Sequence, residues 1–291
     1  MYELAIDLDA IEAIDTHVHI EVGEDGHTAL PTDLAEAAAK YFRTDGITPT
    51  LDAIATYYRE RNLAAVVFTV DAETNLGHPP ISSIEIIEGA ARHADVLIPF
   101  GSVDPNRPDA IEIAQTLVKD HGAQGLKFHP TVQGFDPSNE RFFALWAAIQ
   151  DLGVPALFHT GQTGIGAGTP GGHGFQLGLS NPMLLDVVAA SFPQLTIVMA
   201  HPSVPWQDEQ ISVATHKSNV WIDLSGWSPK YFAPQLVRQM NSLLQDKVLF
   251  GSDFPLLSPD RWRADFDALE IKPQVRPKIL KTNAAAMLGL N

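Results

Sequence analysis

The sequence predicts an α/β fold in which eight parallel strands, each followed by helical segments, close into a single (β/α)8 TIM barrel. The first observation is that eight short segments rich in Val, Ile, Leu and Phe recur along 291 residues, and about 250 residues suffice for such a barrel. The second is that these segments are nearly unbroken apolar runs, as strands buried on both faces require. The third is that neither a G-x-G-x-x-G turn after a strand nor a GK[ST] motif occurs, which disfavours a doubly wound open sheet.

Most of the predicted strands are followed by a helical segment, and no linker rich in Pro, Gly or Ser divides the chain into two halves. The strands are Ala13–Ile20, Leu63–Asp71, Val96–Asp104, Gln124–Pro130, Val154–Gly161, Leu195–Ser203, Val220–Gly226 and Val248–Pro255. The amphipathic helical segments are Ile81–His93, Asp109–Asp120, Asn139–Leu152, Asn181–Ser191, Pro234–Gln245 and Val275–Leu288. We therefore expect one domain over residues 1–291.

Two stretches depart from this alternation. The segment His27–Asn62 is long enough to place extra helices over one mouth of the barrel. The segment Gly161–Gly174 contains seven glycines in 14 residues, so it is either a flexible surface loop or an active-site lid.

Composition excludes several classes of protein. Nineteen basic and 35 acidic residues give a net charge of −16, which repels nucleic acid and anionic membrane surfaces. The absence of cysteine excludes disulfides and thiolate ligands. The acidic first 20 residues do not resemble a secretory signal, and no apolar run approaches the roughly 18 residues that span a bilayer. We expect a cytoplasmic protein that acts on a small molecule.

Groups that can bind a metal recur at the predicted carboxyl ends of five strands, which in a TIM barrel surround one site. One such histidine alone is more often a core residue, but the combination favours a metal centre. His17 and His19 are two residues apart, so the strand pleat places both on one face. The groups at these five ends are His17, His19, Lys127, His129, His159, His201 and Asp253.

The chemistry of such a centre follows from its donors. Imidazole and carboxylate suit zinc, manganese or iron, and a divalent ion lowers the pKa of its water to about 7, which makes metal-bound hydroxide available at neutral pH. Asp253 could be both ligand and general base. His201 could donate a hydrogen bond to a developing oxyanion.

Five motifs carry a resemblance to a known family. IDTHVHI, GLKFHP, LFHTG, VMAHPS and FGSDFP, in that order, resemble the amidohydrolase superfamily, in particular the amidohydrolase-related branch that includes aminocarboxymuconate-semialdehyde decarboxylase. The resemblance implies a (β/α)8 barrel with one divalent ion, and we expect zinc before manganese or iron. It implies His17, His19, His159 and Asp253 as ligands and His201 as a catalytic residue, beside the catalytic role expected of Asp253. It also allows a homodimer, since members of the branch often pair.

The remaining strand-end groups and the loop aromatics have two interpretations each. A carbamylated Lys127 would make the site binuclear; the motif contexts favour one ion, so Lys127 is expected as a substrate-facing cation or a structural amine. His129 is either a substrate contact or a hydrogen-bonded core residue. Four aromatic residues either wall a substrate pocket or pack loops onto the barrel: Phe135, Trp206, Trp227 and Trp262.

The loops suggest a substrate class. The stretches GHPP, HPTVQGFDP, HTGQTGIGAG and HPSVPWQDE are similar to a subgroup described as 4-hydroxyphenyl-β-ketoacyl-CoA hydrolases. That similarity implies hydrolytic, retro-Claisen cleavage of a carbon–carbon bond in an aryl β-ketoacyl-CoA, in phenylpropanoid breakdown. The −16 charge opposes a coenzyme A substrate unless a local patch offsets it. The candidates for that patch are Arg43, Arg59, Arg61, Arg107, Arg261 and Arg263.

Two other functions stay open. The same centre could catalyse non-oxidative decarboxylation, or hydrolysis of a lactone or amide, on a small cyclic or aromatic acid. No arginine lies at a predicted strand end, which disfavours a substrate carboxylate held near the metal. A metal-binding barrel without turnover is the third hypothesis, because fold alone does not establish catalysis.

Overall fold

The computed structural model describes residues 1–43 and 48–290, and its strands all run parallel. They are β1 (Ala13–His19), β2 (Leu63–Phe68), β3 (Leu97–Pro99), β4 (Gly101–Ser102), β5 (Leu126–Phe128), β6 (Ala156–His159), β7 (Ile197–Ala200), β8 (Val220–Asp223) and β9 (Val248–Leu249). They pair in the order β1-β2-β3 and β4-β5-β6-β7-β8-β9.

Backbone hydrogen bonds join these two sheets into one barrel. β3 and β4 are one predicted strand that changes partner at Phe100: the Phe100 amide donates to Val67 O, and the Gly101 amide donates to Gly125 O. On the other side, the Thr16 amide donates to Phe250 O. With β3 and β4 counted as one, eight parallel strands therefore form the barrel wall. The predicted (β/α)8 fold is confirmed.

The side chains of each strand alternate between two apolar layers. On β2, Ala64, Val66 and Phe68 belong to the cluster that fills the barrel, whereas Leu63, Ala65 and Val67 belong to the cluster beneath the helices. Both faces are buried. Because both faces are buried, the sequences of the strands are continuous apolar runs.

Twelve α-helices are described within residues 1–43 and 48–290. They are α1 (Thr32–Phe42), α2 (Leu51–Arg59), α3 (Glu73–Leu76), α4 (Ser83–Ala91), α5 (Ala110–Lys119), α6 (Pro130–Gln133), α7 (Phe143–Leu152), α8 (Met183–Ser191), α9 (Gln207–His216), α10 (Pro234–Met240), α11 (Pro259–Asp267) and α12 (Asn283–Leu288). Short 3-10 turns lie at Glu140–Phe142, Pro170–Gly174, Leu177–Ser180 and Pro229–Tyr231, and a π-helical turn lies at Lys278–Thr282. In these ranges, no helix has both the length and the apolar character needed to cross a bilayer.

All six predicted helical segments contain a helix, and His27–Asn62 contains α1 and α2, as expected. The helices α3, α6, α9 and α11 are additions. The start of α11 was predictable from the sequence, because Ser followed by Pro is typical of a helix N-terminus. In the structure, the Ser258 hydroxyl accepts from the Arg261 amide, and Pro259 is the first residue of the helix. Its two aromatic residues, Trp262 and Phe266, are four apart and both fully buried.

Trp262 is therefore a core residue, and the interpretation of it as a pocket wall is wrong. Its indole Nε1 donates to Leu224 O at 3.2 Å, and its ring stacks on Phe266 at 4.9 Å. We expect Trp262→Ala to lower the free energy of unfolding by roughly 3–5 kcal/mol, because a large buried ring leaves a cavity. Urea unfolding measures this loss. Trp206→Ala is the control: Trp206 is only half-buried, so a change of about 1 kcal/mol or less is expected, and equal losses would contradict the assignment.

Candidate metal centre

A bulge in β1 aims two histidines into the barrel. The pairing of β1 with β2 shifts register between Asp15 and Val18. Ile14 lies in the barrel-filling cluster, whereas Val18 lies in the cluster beneath the helices. The shift therefore reverses the alternation, so that His17 and His19 face the interior rather than the helices.

Three ligand atoms come together at this point. His17 Nε2 lies 3.2 Å from His19 Nε2, and each of these atoms lies 3.3 Å from Asp253 Oδ1. Atoms that bind one ion at about 2.0–2.2 Å in a tetrahedral arrangement are roughly 3.3–3.6 Å apart. The spacing fits a shared divalent ion.

Two more histidines complete the cluster. His159 ends β6, and its Nδ1 lies 2.9 Å from His201 Nε2. His159 Nε2 is buried and has no hydrogen-bond partner among the described residues, which is unusual for a polar atom and suits a metal ligand. One ligand atom each from His17, His201 and Asp253 also fall within 4.8 Å of one another. The structure thus brings all five predicted residues together, and it places His201 close enough to join the ligands.

The electrostatics of the cluster favour ligand-competent protonation states at His17, His159, His201 and Asp253, but not at His19. Burial lowers the pKa of His17 and His159 well below 6.5 and that of His201 to about 4, so these imidazoles are neutral at pH 7. Burial would also lower the pKa of His19, but the carboxylates of Asp253 and Glu21 outweigh it and raise the pKa. Burial would raise the pKa of Asp253, but His19 and His201 outweigh it and lower the pKa, which keeps the carboxylate ionised.

Three side chains that sequence reasoning missed hold the other nitrogen of these histidines. Asp223 Oδ2 lies 3.0 Å from His17 Nδ1, Glu21 Oε1 lies 3.3 Å from His19 Nδ1, and Ser225 Oγ lies 3.0 Å from His201 Nδ1. Partners of this kind orient a ligand ring and select its tautomer. Asp223 could have been identified from the sequence, because it lies at the carboxyl end of β8 as His159 lies at the carboxyl end of β6.

Gly226 gives His201 and Asp253 the space they need. Its φ is +74°, and a Cβ there would lie 2.6 Å from His201 Nδ1. His201 and Asp253 themselves have φ values of +70° and +74°, a conformation that is uncommon outside glycine and clusters at functional sites.

A buried carboxylate, also missed, ties β1 to the segment that carries Asp253. Asp15 Oδ1 accepts from the amides of Ser252 at 2.9 Å and His17 at 3.1 Å. Asp15 Oδ2 accepts from the Tyr58 hydroxyl at 2.7 Å and from the Ser252 hydroxyl at 2.5 Å. Burial raises the pKa of Asp15 to about 7 despite these bonds.

This pKa predicts a pH-dependent stability. Between pH 4 and pH 7, folded Asp15 keeps a proton that the unfolded chain has released, so the contribution of Asp15 to the free energy of unfolding falls as pH rises, by up to about 4 kcal/mol. In Asp15→Asn, the side chain keeps one acceptor oxygen but cannot ionise. We expect the stability of metal-free wild type minus that of the variant to decrease over this range in denaturant titrations. A difference that is constant with pH would contradict the raised pKa.

The structure places Lys127 inside the barrel rather than in a cavity wall. It is fully buried, its Nζ lies 3.2 Å from His17 Nε2, and the same atom lies 4.7 Å from the centre of the Phe68 ring. Burial lowers the pKa of Lys127. This position fits the interpretation as a structural amine and does not support a substrate-facing cation.

A cavity of about 250 Å³ opens onto the cluster, and its walls are largely apolar. His19, His129, His159, His201 and Asp253 form one side; Tyr41, Phe42, Ile165, Trp227 and Leu256 contribute the apolar walls. Among the described residues that line it there is neither arginine nor lysine. The cavity thus offers an aromatic or acyl group an apolar surface beside metal ligands.

The remaining predicted wall residues divide between site and core. Trp227 lines the cavity, but Trp206 does not; it lies half-buried before α9. Phe135 is buried and contacts Trp146 and Phe128, so it belongs to the core.

The glycine-rich segment 161–174 contributes at its beginning. Its residues 162–165 line the cavity, and Gly164 lies so close to Phe42 that a Cβ would overlap the ring. The later part, Pro170–Gly174, is a largely exposed turn. This segment is therefore part of the site's wall as well as of the surface.

Solved structures share this architecture at low sequence identity. An uncharacterised TIM-barrel protein of Bordetella bronchiseptica is 22% identical with a TM-score of 0.79, over 96% of this chain and 99% of that one. The 2,6-dihydroxybenzoate decarboxylase of Rhizobium is 18% identical with a TM-score of 0.69, over 96% and 99%. A dihydroxybenzoic acid decarboxylase of a Polaromonas species, solved with manganese and 2-nitroresorcinol, is 16% identical with a TM-score of 0.66, over 97% and 98%.

No curated protein matches the chain. The model of the amidohydrolase family matches residues 14–290, a span that runs from the second residue of β1 to the end of the described chain and includes every residue of the histidine–aspartate cluster. Since that match covers nearly the whole chain, this protein is a metal-dependent enzyme that belongs to the amidohydrolase family.

Proposed function

We propose that this enzyme hydrolyses the carbon–carbon bond beside the ketone of an aryl β-keto substrate, with one divalent ion, zinc before manganese or iron. One observation carries the proposal: the histidine–aspartate cluster lies at a largely apolar cavity, which is lined by Tyr41, Phe42 and Trp227 and by no arginine or lysine of the described chain. A ketone is neutral and needs no cation to hold it, whereas a carboxylate would.

The proposed roles follow from position. His17, His19, His159 and Asp253 would hold the ion, with His201 near enough to assist. A divalent ion, when bound, polarises a carbonyl oxygen and lowers the pKa of water. Asp253 accepts the proton of the attacking water.

The other side chains position the substrate. His201, whose Nδ1 contacts Ser225 Oγ, would donate from Nε2 to the oxygen on which charge develops. Trp227 and Phe42 contact the aryl group and exclude bulk water.

The reaction balances without an oxidant or reductant. The water oxygen bonds to the ketone carbon, and its proton moves to Asp253. The carbon–carbon bond then breaks, and its electron pair moves to the adjacent carbon as the enolate of the shortened acyl group. That carbon takes up the proton, which leaves an aromatic carboxylic acid and a shortened acyl compound.

The structure does not favour a strongly anionic acyl carrier. Four of the six arginines proposed for a coenzyme A patch are in ion pairs with carboxylates: Arg59 with Asp95, Arg61 with Asp260, Arg107 with Asp109, and Arg263 with Glu12. We therefore propose that the enzyme recognises mainly the aryl β-keto group. A test of this proposal requires both a coenzyme A thioester and a short neutral thioester as substrates.

Decarboxylation of an aromatic acid is the second candidate. It is favoured by the two dihydroxybenzoate decarboxylases that share the fold, one of them with manganese. The same cavity walls weigh against it, because a carboxylate would find no lysine or arginine there among the described residues.

Isotope labelling separates these reactions. Zinc-loaded and manganese-loaded enzyme would be incubated in ¹⁸O-water with an aryl β-ketoacyl thioester, and in deuterium oxide with 2,6-dihydroxybenzoate. Hydrolysis predicts one ¹⁸O in the aryl carboxylate. Release of carbon dioxide with deuterium on the ring would establish the decarboxylase instead, and no product from either substrate would count against both.

A further inference from the structure

The tautomer of His129 is set by the backbone. The amide of Val132 donates to His129 Nδ1 at 3.3 Å, at the beginning of α6. A nitrogen that accepts a hydrogen bond carries no proton, so the proton of the neutral ring lies on Nε2. Gln133 holds the residue in place, because its Oε1 accepts from the His129 amide at 2.7 Å while its Nε2 donates to Asp71 O and Val103 O.

Within residues 1–43 and 48–290, the resulting N–H donor is nearly unused. His129 lines the main cavity, and its closest hydrogen-bonding partner at Nε2 is Thr163 Oγ1, at 3.5 Å. That oxygen already accepts from the Ile165 amide at 3.1 Å. A substrate oxygen would be a better acceptor for this donor than Thr163 is.

A second, smaller cavity of about 50 Å³ adjoins the first at His129. The two cavities share the lining residues His19, Glu21, His129 and Ile165. The rest of the smaller cavity, which we call the side pocket, is apolar: Ala29, Leu30, Val70, Ala72, Leu76 and Val132. Its size suits a group of roughly one to three heavy atoms.

We propose that the substrate carries an acceptor oxygen next to a small apolar substituent, with the oxygen bound by His129 Nε2–H and the substituent in the side pocket. The chemical class is an ortho-alkyl or ortho-alkoxy aryl oxygen. This inference rests on the proposed function only for the statement that an aromatic substrate enters the cavity. It assigns specificity to two features that the reaction itself does not use.

Two substitutions separate the donor role of His129 from its structural role. In His129→Asn, the side-chain oxygen can still accept from the Val132 amide, but no donor reaches the cavity. In His129→Gln, the amide nitrogen reaches the position of Nε2, but the cap on Val132 is weakened. A substrate contact therefore predicts rescue by glutamine, and a purely structural role predicts rescue by asparagine.

The side pocket offers a second pair of variants. Ala72→Leu fills it, because Ala72 is buried and lines it. Leu76→Ala enlarges it. The two changes act in opposite directions, so that the test does not depend on either variant alone.

Binding to zinc-loaded protein tests the proposal without turnover, with phenol, 2-methylphenol, 2-ethylphenol and toluene as probes in ligand-observed NMR titrations. We expect 2-methylphenol to bind wild type about fourfold tighter than phenol, the effect of burying one methyl group. We expect it to bind about fivefold tighter than toluene, the effect of one hydrogen bond.

The variants should remove these preferences one at a time. In His129→Asn, 2-methylphenol should no longer bind more tightly than toluene but should still bind more tightly than phenol. In Ala72→Leu, the reverse should hold. Leu76→Ala should favour 2-ethylphenol. His129→Gln should behave as wild type. Preferences that survive in both His129→Asn and Ala72→Leu, or equal binding of all four probes by wild type, would overturn the proposal. Because no product is measured, these outcomes are distinct from failure of the hydrolysis experiment.

Discussion

Replacing His17 with alanine is expected to abolish stoichiometric metal binding and to lower kcat/KM by at least about 10³-fold, which corresponds to about 4 kcal/mol of transition-state stabilisation. His17 is fully buried, and its Nε2 lies within 3.3 Å of donor atoms from both His19 and Asp253. Alanine removes the shared donor, so the remaining ligands can no longer surround one ion.

Elemental analysis of the purified variant and steady-state kinetics test this expectation together. His216→Ala is the matched control, because His216 is an exposed histidine on α9 and should leave both quantities unchanged. Asp223→Asn should give an intermediate result, a loss of roughly 10–100-fold in metal affinity, because Asp223 orients His17 without binding the ion. One tightly bound ion per chain in His17→Ala would contradict the assignment of the centre.

Replacing His201 with alanine is expected to lower kcat by roughly 10²–10³-fold while KM changes little, because a donor to a developing oxyanion acts in the transition state. Ser225→Ala should have a smaller effect in the same direction, since Ser225 holds His201 Nδ1 at 3.0 Å. His173→Ala, in the exposed turn Pro170–Gly174, is the matched control.

The metal content of His201→Ala distinguishes two roles for this residue. A catalytic His201 predicts one retained ion with slow turnover. If His201 is instead a metal ligand, the variant should lose the ion. This alternative is tested because one ligand atom each of His201, His17 and Asp253 lie within 4.8 Å of one another. Unchanged kcat with a full complement of metal would contradict both roles.

The positions of the strands were predictable from sequence, but their lengths were not. Each predicted strand contains an observed one, although Val248–Pro255 pairs as a strand only at Val248–Leu249. The following residues use their hydrogen bonds to close the barrel, as the Asp253 amide does when it donates to His17 O. Composition cannot distinguish these two uses of an apolar segment.

The aromatic residues show the limit of sequence more sharply. Trp227 and Trp262 both follow strand ends, yet Trp227 lines the cavity and Trp262 is enclosed by Phe250 and Phe266. Both environments are apolar, so the residue type by itself does not separate them. Asp15 was missed for a related reason: a carboxylate in an apolar strand is recognisable as supporting the site only when Tyr58 and Ser252 are seen to donate to it.

The sequence by itself determined the fold class and the chemical nature of the centre, because eight doubly buried strands specify a barrel and a chain without cysteine restricts its ligands to nitrogen and oxygen. Only the tertiary structure decided where those ligands point. The period of two places His17 and His19 on the same face, but the bulge between Asp15 and Val18 selects the interior face. Left-handed backbone at His201 and Asp253 then directs two further groups to the cluster. Such local reversals arise from hydrogen bonds between residues distant in sequence, which no local pattern encodes.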